Sequence, residues 1–229
     1  MNEQVAIQFK QEFPVISFPE TMLLPHAVMP ITVTEPHDFQ MVNQVLDSNG
    51  QIAIASAVDT SSSGDSAILR TTVCLGQVVQ HEKLLNGYNL MVYGLCRAEI
   101  MHVSPASKDN AFRTVKLRPV EDHEQEDHEL EIYRVELLHF MFRPNMERLE
   151  QYETIMDWIV ESRITISALF EVVACTLFQG FDFRYKLLCE SSKETRCILV
   201  LKELEKLDIA ISMANKQSQD RWKNGTSLN

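Results

Sequence analysis

The stretch Val73-Cys-Leu-Gly-Gln-Val-Val-Gln-His-Glu-Lys-Leu-Leu85-Asn86-Gly87-Tyr88-Asn-Leu-Met-Val-Tyr-Gly94-Leu-Cys-Arg-Ala-Glu-Ile-Met-His-Val103 decides the fold. Residues 73–85 and 88–103 are two apolar, strand-like runs, and Asn86-Gly87 stands between them. Both residues of that pair accept positive φ, which a tight type I′ turn requires, so the stretch predicts a long antiparallel hairpin. Gly94, inside the second run, marks a bulge or a close approach of another backbone.

Toward the N-terminus the chain stays β-rich. Residues 13–19 and 29–34 are short, β-branched and punctuated by proline, which suits edge strands and turns. Phe39, Val42 and Leu46 fall at helical intervals, so one short helix is predicted at 39–46. Asn49-Gly50 ends it, because glycine tolerates the left-handed conformation beyond a helix C-terminus. Residues 51–58 read as a strand, 59–66 (Asp-Thr-Ser-Ser-Ser-Gly-Asp-Ser) as a mobile polar loop, and 112–119 as a closing strand.

Toward the C-terminus the period changes. Residues 121–131 are an acidic run that suits a linker or the first turn of a helix, where carboxylates complement the dipole. Leu130, Tyr133, Leu137, Phe140 and Met141 then share one helical face until Pro144. A second helix carries Leu149, Tyr152, Met156, Ile159 and Val160, a third spans 167–178 and stops near Gly180, and a short piece covers 183–189. Ser191-Ser-Lys-Glu194 has capping-box spacing ahead of a last helix whose buried stripe is Cys197, Val200, Leu201, Leu204, Leu207 and Ile211. The division expected is a β-rich part at 1–120, a helical part at 121–215 and a disordered polar tail at 216–229.

Composition narrows the function. At 229 residues and 45% hydrophobic, the chain buries a sizeable core, while a net charge of −11 without any Lys/Arg run argues against nucleic acid as partner. Residues 1–10 have neither a basic n-region nor an apolar h-region, and charges interrupt every apolar stretch short of a membrane span, so no membrane partner is expected. Five widely spaced cysteines without a C-x-x-C pair point to free thiols and a cytoplasmic location. No P-loop, G-x-G-x-x-G, G-x-S-x-G or H-E-x-x-H occurs. His123 and His128 are five residues apart, about 140° around a helix axis, so one face cannot present both to a metal. Cys74 and Cys96 with His81 and His102 are the other conceivable cluster, more simply read as buried thiols and surface imidazoles. No cofactor and no catalytic residue is expected. The ten methionines suit core filling, with an adaptable binding surface as the alternative use.

One long stretch is more specific. Phe18-Pro-Glu-Thr-Met-Leu-Leu-Pro25-His-Ala-Val-Met-Pro30-Ile-Thr-Val-Thr-Glu35-Pro36-His-Asp-Phe-Gln-Met-Val42 resembles the opening of the Lon protease N-terminal domain, with its paired prolines, its Glu-Pro and a following helix. Leu75-Gly76-Gln-Val-Val79 and then Gly87, Gly94, Arg97 and Ile100 match that family's glycine-bearing strands in order and spacing. Leu169 to Leu177, Leu187-Leu-Cys-Glu190 and Thr195-Arg196-Cys-Ile-Leu resemble its helical ending. The resemblance covers residues 13–210. His26 and His37 depart from it, standing where the family usually has glycine and arginine.

The resemblance implies an α+β fold, a PUA-like β-barrel followed by an α-helical bundle. It implies a module that captures exposed hydrophobic segments of proteins, without the ATPase and Ser–Lys protease domains that make full-length Lon an enzyme. Leu84, Leu85 and Tyr88 at the hairpin tip, and Phe178, Phe181 and Phe183 around the Gly180 break, are the candidate partner-binding residues, since large apolar groups at turns and breaks are candidates for exposure. Two other readings remain open: a PUA-like RNA binder, and a small-molecule enzyme with a pocket between barrel and bundle that uses Glu35, Arg97 and histidines. Pairing of Glu35 with Arg97 to hold the fold is the plainer use of those two.

Overall fold

In the computed structural model, which describes residues 7–58, 67–107, 111–120, 127–161 and 163–225, the long hairpin is the spine of the β-sheet. The polar loop expected at 59–66, the acidic residues 121–126 with His123, and residues 226–229 lie outside the described residues. Six strands, β1 (Glu12–Pro19), β2 (Val28–Val33), β3 (Gln51–Ala57), β4 (Thr72–Leu84), β5 (Gly87–Ser104) and β6 (Thr114–Pro119), form one sheet in the order β2-β5-β4-β3-β1-β6, with β5 also pairing β6. Helix α1 (Pro36–Asp47) joins β2 to β3. It ends as foreseen, with Gly50 at φ +73° donating its N–H to the Val45 carbonyl.

The closed PUA-like barrel that the resemblance implied is not what forms. The sheet is mixed, since β1 runs parallel to β3 while the other pairs are antiparallel, and it is non-barrel, with β2 at its edge paired to β5 alone. β5 keeps β4 on one edge. Its other edge is shared, pairing with β2 through Tyr88–Tyr93 and with β6 through Ala98–Ser104. An 18-residue strand is roughly 60 Å long when extended, too long for either short partner to follow. β2 is therefore left with an outer edge that no described strand covers.

Irregular register bends the spine. Leu75 pairs with Cys96 but Gly76 with Gly94, and Val78 with Val92 but Gln80 with Met91, so Leu95 and Val79 are extra residues. The Gly94 backbone also lies against the β1–β2 connection: the His26 N–H donates to its carbonyl at 2.8 Å, and a Cβ on Gly94 would sit 2.2 Å from the Leu24 oxygen. Both sequence readings of Gly94 thus hold. The hairpin turn differs from its prediction. Leu84 pairs with Gly87, so the two turn residues are Leu85 and Asn86, and neither Asn86 nor Gly87 has positive φ. Gly87 is required for space instead, since a Cβ there would lie 2.2 Å from the Val33 oxygen.

Alternation along the strands builds one core cluster from Phe13, Val15, Ala53, Ala55, Val73, Leu75, Cys96, Ala98, Val115 and Leu117. Every residue of β3 is buried, as befits a strand covered on both faces. Short helix α5 (Phe181–Cys189) belongs to this unit, which comprises Met1–Asp122 with Phe178–Ser191. Three contacts tie it to the sheet side. The Thr72 N–H donates to the Tyr185 hydroxyl at 3.3 Å, the buried Arg97 donates through Nε to the Leu188 carbonyl at 3.3 Å, and the Arg70 guanidinium lies 4.9 and 4.8 Å from the stacked Phe181 and Tyr185 rings.

The second unit, His123–Leu177 with Ser192–Asn229, holds helices α2 (Glu131–Met141), α3 (Tyr152–Val160), α4 (Ile166–Leu177) and α6 (Lys193–Gly225). Leu137, Phe140 and Met141 are buried on α2 as their spacing predicts. On α3 the buried pair is Ile155 and Ile159, while Val160 is exposed, because this nine-residue helix buries a narrower stripe than its composition suggested. Arg134 closes the C-terminal end of α3, donating to the Ile159 and Ile164 carbonyls at 2.9 and 2.6 Å. The cap of α6 sits one residue later than expected, with Ser192 Oγ accepting from the Thr195 N–H; Glu194 instead accepts from the Tyr133 hydroxyl. Burial and that carboxylate push the Tyr133 phenol up to about 12. Between α4 and α6, Arg196 and Glu171 form a buried ion pair at 3.0 Å.

Candidate functional site

The six residues singled out from sequence fall into two groups. At the hairpin tip Leu85 is fully exposed, Leu84 is half-buried, and Tyr88 is buried with its hydroxyl donating to Asn43 Oδ1 at 2.7 Å and its ring edge-on to Phe39. These residues rim a shallow hollow of about 220 Å³ with Lys83 and Gly87. Around the break before α5, Phe178 is buried edge-on against the half-buried Phe183, centroids 5.1 Å apart, and the half-buried Phe181 is stacked on Tyr185. The structure does not bring the groups together. Tyr185 meets β4 at Thr72 and the tip lies at Leu84, twelve residues away, or roughly 40 Å along an extended strand. Glu35 and Arg97 do not meet either. Val33 pairs with Tyr88, and Arg97 lies nine residues further along β5, about 30 Å away.

A third surface escaped the sequence reading. After β3, residues 67–71 run back beside its end: Leu69 bridges Ala57, the Val58 N–H donates to Ile68 O at 2.7 Å, and the Arg70 N–H donates to Ser56 O at 2.8 Å. The same segment meets β5 at one point, where the Ile100 N–H donates to Thr71 O at 2.8 Å. Beyond that point segment 67–70 follows β3 while β5 follows β6, and a cleft of about 470 Å³ opens between them. Its walls are Ala67, Ile68, Leu69 and Thr71 on one side and Ile100, Met101, His102 and Val103 on the other, with Arg113 at the far end. Ile68 is 67% exposed and Met101 55%.

Met101 is exposed for a local reason. Ile100 pairs with Leu117 but His102 with Lys116, so Met101 is the extra residue of a bulge that turns its side chain outward. The volume lies within the range that suits ligand pockets, and the lining is mainly apolar. At the far end Arg113 Nη1 donates to the Ala67 carbonyl at 3.0 Å. Nearby, hydrogen bonds from Thr114 and Ser104 hold the Glu12 carboxyl below its ordinary range, helped by His102 and Lys116. The sequence signal was faint: an apolar triplet, Ala67-Ile-Leu69, between the polar loop and Arg70.

No group of three or more His, Cys, Asp or Glu able to hold a metal occurs among the described residues. Cys74 pairs with Arg97 and Cys96 with Leu75, so the two thiols face opposite sides of the sheet, and the exposed His81 and His102 lie far apart along the strands. No helix among the described residues is long and apolar enough to cross a membrane.

Known proteins place this architecture. The N-terminal domain of the Mycobacterium avium complex Lon protease superposes with a TM-score of 0.63 at 19% identity, covering 85% of this chain and 98% of that one. A Lon N-terminal domain protein from Xanthomonas campestris gives 0.58 at 14% identity, covering 84% and 98%. At such identities the likeness establishes the fold alone. No curated protein matches the sequence. Residues 12–206, however, match the profile of the ATP-dependent protease La (LON) substrate-binding domain, and the chain belongs to that family.

Proposed function

We propose that this chain recognises exposed apolar segments of other proteins, without chemically altering them, and that the cleft between residues 67–71 and 100–103 is its principal contact surface. The observation that carries the reading is the pair of large apolar side chains, Ile68 and Met101, held in the open on facing walls of a substrate-binding-domain fold. Burying both would remove several kcal/mol of apolar hydration cost, at ~1.5–3 kcal/mol for each side chain fully covered. Leu84 and Leu85 at the tip, and Phe181 and Phe183 at the start of α5, serve as accessory contacts, with Tyr88 and Phe178 packed behind them. The five free cysteines, three of them buried, suit a reducing compartment, so we place the protein in the cytoplasm.

The reading is tested by titrating the isotopically labelled chain with a permanently unfolded, reduced and alkylated polypeptide. Amide and methyl resonances of Ile68, Leu69, Met101 and Val103 shift, and Ile68→Ser with Met101→Ser weakens binding at least tenfold. Saturating polypeptide that leaves those resonances in place would refute it.

A further inference from the structure

The cleft has a form that specifies more than apolarity. Leu69 sits between the two hydrogen bonds that residues 68 and 70 make to the β3 side, so by strand alternation its own N–H and C=O point away from β3, into the cleft. On the facing wall the Ile100 N–H points toward residue 71; past the bulge at Met101, His102 turns onto Lys116 of β6 and Val103 presents its backbone groups to the cleft. Among the described residues no backbone hydrogen bond joins Leu69 to Val103. Two strand edges therefore face each other across a gap. One end is closed by the Ile100–Thr71 bond at 2.8 Å, and the other is crossed by the Arg113 side chain reaching Ala67 O at 3.0 Å. From Ile100 to Val103 is roughly 10 Å, room for about three extended residues.

The charge of the Arg113 end is the second feature. The chain carries a net −11, yet no carboxylate lines this cleft among the described residues, whereas Arg113 and His102 do. Of these two, Arg113 carries the permanent charge and sets the polarity of the end. Its guanidinium spends one nitrogen on Ala67 and retains planar donors of the kind that match a carboxylate.

Resting on the reading above, we propose that the cleft takes the C-terminal end of an apolar polypeptide as a short added strand, hydrogen-bonded to Leu69 and Val103, with its terminal carboxylate on Arg113. A segment threading through would have to climb over the guanidinium; a chain end stops at it. Main-chain pairing supplies affinity, the apolar walls select side chains, and Arg113 selects the terminus.

The test uses the full chain and fluorescence anisotropy with three N-terminally labelled apolar hexapeptides: a free acid, its C-terminal amide, and an amide with one internal Asp. The free acid binds about tenfold more tightly than either amide, in line with a charge-assisted pair, and Arg113→Gln brings it to the level of the amides. Melting curves check that Arg113→Gln is folded; if it is not, the acid-to-amide ratio on the unaltered chain carries the decision alone. Equal binding of acid and amide, with both still weakened by Ile68→Ser and Met101→Ser, overturns the terminus assignment and leaves the broader reading standing. Tight binding of the Asp-containing amide overturns it as well, by showing that any carboxylate suffices. Binding of none of the three overturns both.

Discussion

Replacing Arg196 by Met should destabilise the helical unit strongly, and removing its partner as well should restore most of the loss. Arg196 on α6 and Glu171 on α4 are only 3% and 1% exposed and lie 3.0 Å apart, and Arg196 also donates to Ser167 Oγ at 3.0 Å. With an effective dielectric near 20, attraction at that distance is roughly 5–6 kcal/mol. Burying two ions costs several kcal/mol each, so the pair as a whole contributes little net stability. Removing one partner is another matter. Truncating one partner of a buried pair takes away the counter-charge of the other, which typically costs about 3–5 kcal/mol.

Arg196→Met is therefore expected to lie about 3–5 kcal/mol below the unaltered chain. Urea titrations followed by helical circular dichroism measure the gap, and the double variant Glu171→Leu/Arg196→Met recovers most of the loss, because it removes both charges together. A gap below about 1 kcal/mol, or a double variant no more stable than Arg196→Met, would refute the reasoning.

Three further expectations concern single positions. Gly94→Ala drives a Cβ to 2.2 Å from Leu24 O and 3.0 Å from Pro25 Cα, so it should cost at least about 3 kcal/mol, whereas Gly180→Ala meets nothing within 4 Å and should stay within about 0.5 kcal/mol; paired urea titrations compare them. His26 adopts φ +63° where the family has glycine, while its Nδ1 lies 3.2 Å from the Tyr93 hydroxyl; His26→Gly should therefore be about 1 kcal/mol more stable than His26→Ala, and equal melting points would show that the backbone is unstrained. Glu161 is held down to about 2 by its hydrogen bonds from Arg163, so its contribution is present above the ordinary value of 4.5 and fades as pH falls toward 2; carboxyl NMR should show that midpoint, and Arg163→Gln should return it toward 4.5.

Periodicity made the strands and helices legible because each follows a short-range rule: period 2 placed Val73, Leu75, Cys96 and Ala98 in one core, and period 3.6 placed Leu137, Phe140 and Met141. What it could not convey was pairing. Nothing local to β5 announces that its edge is shared between β2 and β6, which leaves β2 with an outer edge that no described strand pairs. The turn misled for a related reason. Asn86-Gly87 satisfies a backbone preference, but the position of Gly87 is governed by the Val33 carbonyl pressing on it from β2, fifty-four residues earlier. The candidate cleft was hidden for the same reason, since it is made where two strands part company and where an extra residue turns Met101 outward.

The residues that carried the family resemblance are mostly elsewhere, and their physical roles explain why. Gly94 lets the Leu24–Pro25 backbone approach β5, Arg97 pins α5 from a buried position, and Arg196 fills the α4–α6 interface with Glu171. Each is a place where a different side chain would leave a clash or a buried charge unmatched, so each constrains the fold rather than the ligand. The apolar walls of the cleft carry no such constraint. Ile68 and Met101 protrude, and exchanging them for other apolar residues would barely disturb the sheet. A fold fixed by arginines and close backbone contacts, with its contact surface set by freely exchangeable side chains at strand irregularities, can retain one architecture while its preference among apolar partners changes.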